Sequence, residues 1–279
     1  MRPLPVLAVI RDAYSFTFTH LGAIIGLIWL PMVLATVGDF FVTLHYGGEM
    51  QQAIAAGNTA AAGPAALMQF GFFLVRLALY AMMYVPVAQL ALGQRQGGAM
   101  VHFAFAAPEW RMFRALLGLV LLFLVAAVLL SLLAGRNASA ALTPQMLLAE
   151  VAALLFLFGV IFIGVRMGFL VPAIVVAEEG PVLARAWLIS AGSFWRLLGV
   201  ILGALGPLAL LVVVVAMVLI ESALDPHAQQ TAENLAAAAS ANLPLTAGLQ
   251  FLVAPFLIGL SVGASVFSWK ALSKTDVSA

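Results

Sequence analysis

The residues best suited to chemistry in this chain are an arginine and two tyrosines inside a long apolar run. Gln69, Arg76, Tyr80 and Tyr84 follow at spacings of seven, four and four, so on an α-helix they form one polar and aromatic stripe. Arg76 stands ten residues into the apolar run 66–92, a rise of ~15 Å that puts it near the middle of a ~30 Å hydrocarbon core. A charge there costs at least ~2.5–3.5 kcal/mol, so it must face protein, water or a local lipid defect. Tyrosines one and two turns along can hold the guanidinium by cation–π contact and hydrogen bonding. No Asp or Glu is expected near mid-span, which leaves Arg76 without a counter-ion and points to an anion or a lipid phosphate as its partner. Arg166, six residues before Pro172 or ~9 Å by helical rise, is a second candidate for that role. The structural alternatives are an Arg76 satisfied by backbone carbonyls at a proline kink and an Arg166 that snorkels to the interface.

Other chemistries find less support. Gly259-Leu260-Ser261-Val262-Gly263 matches G-x-S-x-G, but a nucleophile elbow needs a strand-to-helix turn and a downstream His. This serine lies in an apolar run with no His after it, and with Ser265 and Ser268 it reads as a helix-packing face. Glu221, Asp225 and His227, and likewise Asp39, His45 and Glu49, gather where two apolar runs exit. No His pair has metal-ligand spacing, so both groups read as solvated helix ends, and no metal or cofactor is expected. A proton-coupled pump needs buried Asp, Glu or His, and the acidic residues at the runs, Glu150 and Glu221 among them, stand near their ends. No catalytic residue emerges, and the expected protein is not an enzyme.

The elements that must position these residues follow from composition. Of 279 residues, 65% are hydrophobic and 8% charged, and the mean hydropathy is +1.14. Soluble domains carry about a quarter charged residues, so lipid must be the solvent here. A net charge of +1 without clustered Lys and Arg gives no footprint for nucleic acid. With zero cysteines, disulfides and thiolate chemistry are excluded. Six apolar runs are long enough to span, at 21–44, 66–92, 114–134, 147–176, 196–220 and 246–269. The expected architecture is therefore all-α, a single membrane domain with six transmembrane helices.

An even number of spans puts both termini on one side. Arg2, Arg11, Arg95, Arg111, Arg114, Arg185, Arg196, Lys270 and Lys274 flank the termini and the second and fourth loops, whereas only Arg136 lies in the others. Short basic loops stay cytoplasmic, so both termini are predicted inside. Asp39, Glu49, Glu221, Asp225 and Glu233 fall toward the opposite side. The apolar stretch Leu4–Ile10 is interrupted by Arg11 and Asp12, so no cleavable signal is expected. Ten Arg against two Lys fits a GC-rich bacterial genome, hence a bacterial inner membrane. The Asn137-Ala138-Ser139 sequon would count only in a eukaryotic secretory pathway.

The runs also suggest three repeated hairpins. Pro64, Pro144 and Pro244 precede the returning runs, where proline suits a first helical turn. Pro86, Pro172 and Pro255 lie further along them, where a kink is expected. Aromatic segments at 14–18, 103–113 and 187–195 precede the outgoing runs and are read as interfacial amphipathic helices. In the third, Leu183, Trp187, Ala191 and Phe194 would share a lipid-facing side, with Arg185 and Arg196 reaching phosphates. Asp225-Pro226 is read as the start of a further helix to about Ala241. Gly22/Gly26, Gly164/Gly168, Gly199/Gly203 and Gly259/Gly263, each four apart, predict close helix approaches, with dimerisation through such a face or a flexible gating helix as alternatives.

Residues 171–199 add a resemblance. Val171-Pro172-Ala173-Ile174-Val175-Val176, Glu178, Gly180-Pro181, Ala184-Arg185-Ala186-Trp187 and Ser193-Phe194-Trp195-Arg196-Leu197-Leu198-Gly199 resemble the membrane domain attached to some bacterial glycerophosphoryl diester phosphodiesterases, and related stand-alone six-helix proteins. Those enzymes keep their catalytic residues in a soluble barrel that has no counterpart in this sequence, so the resemblance implies architecture and a bilayer-related role without that activity. The expectation is a non-enzymatic, lipid-interacting or accessory membrane protein. Its partners would be membrane lipids, with a homo-oligomer or another membrane protein also open. The alternative is a transporter or channel for a small anionic solute. In the sharpest form of the first reading, Arg76 binds an anionic phospholipid head group between helices, with Tyr80 and Tyr84 shaping the site.

Overall fold

The computed structural model describes residues 4–47, 59–95, 103–135, 144–223 and 243–276, and among these residues the chain is helical without a strand. Helix α1 is Val6–Thr19, α2 Leu21–Val42, α3 Thr59–Leu92, α4 Ala107–Gly135, α5 Pro144–Ile163, α6 Val171–Ala177, α7 Val182–Ile189, α8 Phe194–Ala223 and α9 Leu243–Asp276. Wider π-helical turns extend α2 over Thr43–Gly47 and α5 over Gly164–Gly168. Among the described residues, six helical stretches are long and apolar enough to cross a membrane: Leu21–Gly47, Gly63–Leu92, Ala107–Leu129, Val151–Ala177, Phe194–Val218 and Ala247–Ser273.

These helices form because long apolar runs in lipid must satisfy every backbone group internally. They bury only part of their surface against each other, from 11% of the window on α8 to 56% on α9, so α9 is the central staff. Around it, Ile24, Leu27 and Ile28 of α2, Val87 of α3 and Val262 of α9 are buried together. A second cluster joins Leu170, Ile174, Leu197 and Val200 to Met112 of α4 and Ala13 of α1.

Glycine makes one of these junctions possible. A Cβ on Gly259 would lie 2.7 Å from Thr17 Cγ2, and one on Gly263 would lie 3.1 Å from Phe16 Cδ1 and 3.4 Å from the Ala13 backbone. Across α1, a Cβ on Gly203 would lie 2.4 Å from Ile10 Cδ1. Helix α1 thus beds into small-residue grooves of α8 and α9, and Tyr14 ties it down by donating to the Ala204 carbonyl at 3.1 Å. Gly22 has nothing within 4 Å of its added Cβ, so this expected contact site faces open space.

Several local expectations change. Residues from Ala107 onward belong to the continuous α4, so 103–113 is not a separate helix: after the Ala106 amide is met by Glu109 at 3.0 Å, nothing breaks the run. The helix expected over 181–195 stops at Ile189, and Gly192 turns the chain with φ +74° before α8 begins. Ala191 and Phe194 therefore lie off its face. That face instead buries Val182, Ala186 and Ile189. Pro144 opens α5, and Pro244 is the second residue of α9, as expected of first-turn prolines. Pro64 lies inside α3, which starts earlier, at Thr59. At Pro172 the fourth span breaks altogether: the π-helical turn ends at Gly168 and α6 starts afresh at Val171, since proline offers no N–H to continue the ladder. The sequon and the helix expected over 225–241 lie outside the described residues.

Candidate functional site

Helices α2 and α3 form an antiparallel pair in which Ala35 packs with Leu79 and Met82. One turn further along, Gly38 lets the helices come close, because a Cβ there would lie 2.2 Å from Phe72 Cε2. The next residue, Asp39, meets Arg76. Arg76 Nη1 lies 3.1 Å from both carboxylate oxygens. Its Nε donates to the Tyr80 hydroxyl at 2.9 Å, and its guanidinium carbon is 5.3 Å from the centre of that ring.

This corrects the expectation that Arg76 has no counter-ion. Asp39 belongs to α2, eight residues or ~12 Å short of the helical end at Gly47, and the antiparallel register brings it level with Arg76. The two side chains remain 33% and 32% exposed. They therefore form a neutral pair at a partly open edge, where mutual attraction offsets a large part of the cost of a charge within a span.

Tyr84 continues the stripe, its ring 6.4 Å from that of Tyr80 in an edge-to-face arrangement. Ser261 of α9 lies inside an uninterrupted helix, without the strand-to-helix turn that a nucleophile elbow requires. Ser265 and Ser268 are fully buried.

Beside the pair lies a cavity of about 370 Å³ between α2, α3, α8 and α9, within the ~300–1,000 Å³ range of ligand sites. Its walls are mainly apolar, with Met32, Met83, Val212, Val253 and Leu257 among them. Its polar groups are Thr36, Asp39, Tyr80, Tyr84 and Gln250; Arg76 and Gln69 are not in the lining. An apolar chamber with a few convergent hydrogen-bonding groups suits a molecule with an apolar body and a polar end.

Arg166 stands apart from this site. It lies in the π-helical turn before the Pro172 break, and its Nη2 donates to the Trp187 carbonyl at 2.7 Å while Nε donates to Ser190 Oγ at 3.2 Å. The guanidinium also sits 3.8 Å from the Trp187 ring centre and 5.5 Å from that of Phe162. It completes the C-terminal end of α7, where exposed carbonyls favour a cation. The structure therefore brings Arg76, Tyr80 and Tyr84 together and places Arg166 elsewhere.

A further polar knot fastens the same end of the bundle. Glu178 pairs through Oε2 with Arg185 at 2.7 Å and accepts from Trp269 Nε1 through Oε1 at 2.8 Å. Its backbone carbonyl accepts from Arg111 of α4. Arg185, expected to reach lipid phosphate, is thus engaged within the protein. Of the two acidic groups at the span exits, His45 bonds through Nδ1 with the Phe41 carbonyl at 3.0 Å and Asp39 pairs with Arg76. Glu49, Asp225 and His227 lie outside the described residues, among which no group of three possible metal ligands occurs.

Comparison of the chain with protein-family models, with curated proteins and with solved structures finds no match.

Proposed function

We propose that this is a non-enzymatic, multi-pass protein of a bacterial inner membrane, with cytoplasmic termini, that holds a lipid-like amphiphile between its helices. The observation that carries this reading is the cavity beside Asp39, with apolar walls on four helices and polar groups that can engage a head group. Its apolar lining suits an acyl or alkyl chain better than a small hydrated solute, which would need a polar path to replace its hydration shell. The basic residues flanking the termini support the orientation, and reporter fusions after Lys274 and within residues 50–60 test it.

The functional test fills the cavity. Wild-type protein and Val253→Trp are purified in a neutral detergent, and the lipids that remain bound are extracted and quantified. Wild type is expected to retain about one amphiphile per chain, and the filled variant to lose it while keeping its helical circular dichroism. Equal retention by both proteins contradicts the reading. Chloride or phosphate flux in proteoliposomes that disappears in Val253→Trp would establish the transport alternative instead.

A further inference from the structure

We infer that the cavity selects an amphiphile whose polar end is a protonated amine, and that it disfavours an anionic head group. The inference rests on the amphiphile-holding role proposed above and names the class of ligand.

The two members of the ion pair stand differently toward the chamber. Asp39 lines it, Arg76 does not, and the remaining polar lining among the described residues consists of three hydroxyl groups and one amide. Among the described residues the lining thus holds one carboxylate and no cation. The guanidinium stands behind it, with Nη1 on Asp39 and Nε on the Tyr80 hydroxyl. Asp39–Arg76 is neutral as a pair, but it is a dipole, and its negative end is directed at the cavity.

Hydrogen-bonding capacity points the same way. An ionised carboxylate has about four acceptor sites, and the single Nη1 reaches both oxygens from one side, which leaves acceptor sites for a second donor. An ammonium supplies three donors and no acceptor, and so matches this carboxylate with the hydroxyl and amide oxygens around it. A phosphate or sulfate would meet like charge at short range between apolar walls, where Coulomb interactions are strengthened. The mid-span cation that suggested an anion in the sequence is therefore the group that fixes the orientation of Asp39, and the ligand meets the carboxylate.

The test uses three probes with the same chain and different heads: dodecylammonium, dodecanol and dodecyl phosphate. Each is titrated into the full-length protein in a neutral maltoside detergent, with binding read from the rise in melting temperature and from displacement of a fluorescent alkyl probe. Dodecylammonium is expected to bind at least tenfold more tightly than dodecyl phosphate, with dodecanol between them. Because Asp39→Asn alone strands the Arg76 charge and can disturb folding, the diagnostic variant is the double replacement Asp39→Asn with Arg76→Gln. It should still bind dodecanol and lose the amine preference. Phosphatidylethanolamine is then tested as a competitor. Displacement of dodecylammonium places the amine on a membrane phospholipid and lack of displacement places it on a single-chain amine, and either result supports the ammonium site. If dodecyl phosphate binds as tightly as dodecylammonium, or the double variant keeps the preference, the inference is overturned while the amphiphile cavity stands. If none of the three probes binds, both are overturned.

Discussion

Asp39 and Arg76, thirty-seven residues apart in the chain, meet at 3.1 Å across the first two spanning helices. The contact decides what the most conspicuous charge in the sequence does. Arg76 is bound by protein, and the carboxylate that binds it is the group presented to the adjoining cavity.

Breaking one side of this pair should cost more than removing both. Asp39→Asn or Arg76→Gln is expected to destabilise the protein by about 2 kcal/mol, below the ~3–5 kcal/mol of a fully buried broken pair because both side chains are a third exposed. The double variant should lie closer to wild type than either single change. A double-mutant cycle on thermal unfolding in detergent measures the coupling, and strict additivity would deny that the two groups interact.

The geometry of the pair depends on the close approach at Gly38, where a Cβ would lie 2.2 Å from the Phe72 ring. Gly38→Val should push α2 and α3 apart and separate Asp39 from Arg76. A disulfide between cysteines introduced at Ala35 and Leu79 reports the spacing, since it needs Cα atoms within ~7 Å. It should form readily in the parent and poorly with Val at position 38.

Arg166 is expected to behave as a structural arginine. Its bond to the Trp187 carbonyl and its stacking on that ring predict that Arg166→Ala destabilises by about 2–3 kcal/mol, combining a charged hydrogen bond with a cation–π contact. Lys at this position should restore little, because an ammonium lacks the planar fork that bonds and stacks at once. Limited proteolysis around 178–193 measures the loosening of α7, and unchanged resistance would contradict this role.

Glu178 divides its two oxygens between Arg185 and Trp269, which separates two substitutions. Glu178→Gln keeps one acceptor for the Trp269 indole and loses the ion pair, whereas Glu178→Ala loses both. The alanine variant should shift Trp269 fluorescence and lower the melting temperature more than the glutamine variant does, with a difference of about 1 kcal/mol for the indole hydrogen bond.

The architecture was legible because hydropathy is a one-dimensional signal: each of the six apolar runs overlaps one spanning helix. Register and depth are not encoded in hydropathy. Asp39 lies within the first apolar run, but an aspartate near the end of a run reads as interfacial until α2 is seen to continue helically to Gly47. Its pairing with Arg76 is a relation between helices that no spacing within either one encodes. The Arg76–Tyr80 contact, by contrast, is four residues apart on one helix, which is why it could be anticipated. The break at Phe169 and Leu170 shows the same division, since Pro172 signals the interruption while the docking of Arg166 onto α7 is a tertiary event. The conspicuous segment 171–199 supplies Glu178, Arg185 and Trp187, and in the structure these fasten helices together. Its side chains therefore explain packing and leave the ligand to be read from the cavity.

Photocrosslinking tests most directly whether that cavity is a ligand chamber. A single-chain alkylammonium carrying a diazirine near its terminal methyl is added to the purified protein and activated, and the labelled peptides are mapped. Label is expected on cavity residues such as Met83, Val253 and Leu257, competed away by unlabelled dodecylammonium and absent in Val253→Trp. Label spread over the outward-facing residues Leu154, Leu155 and Leu210, without competition and unchanged in the filled variant, would contradict it.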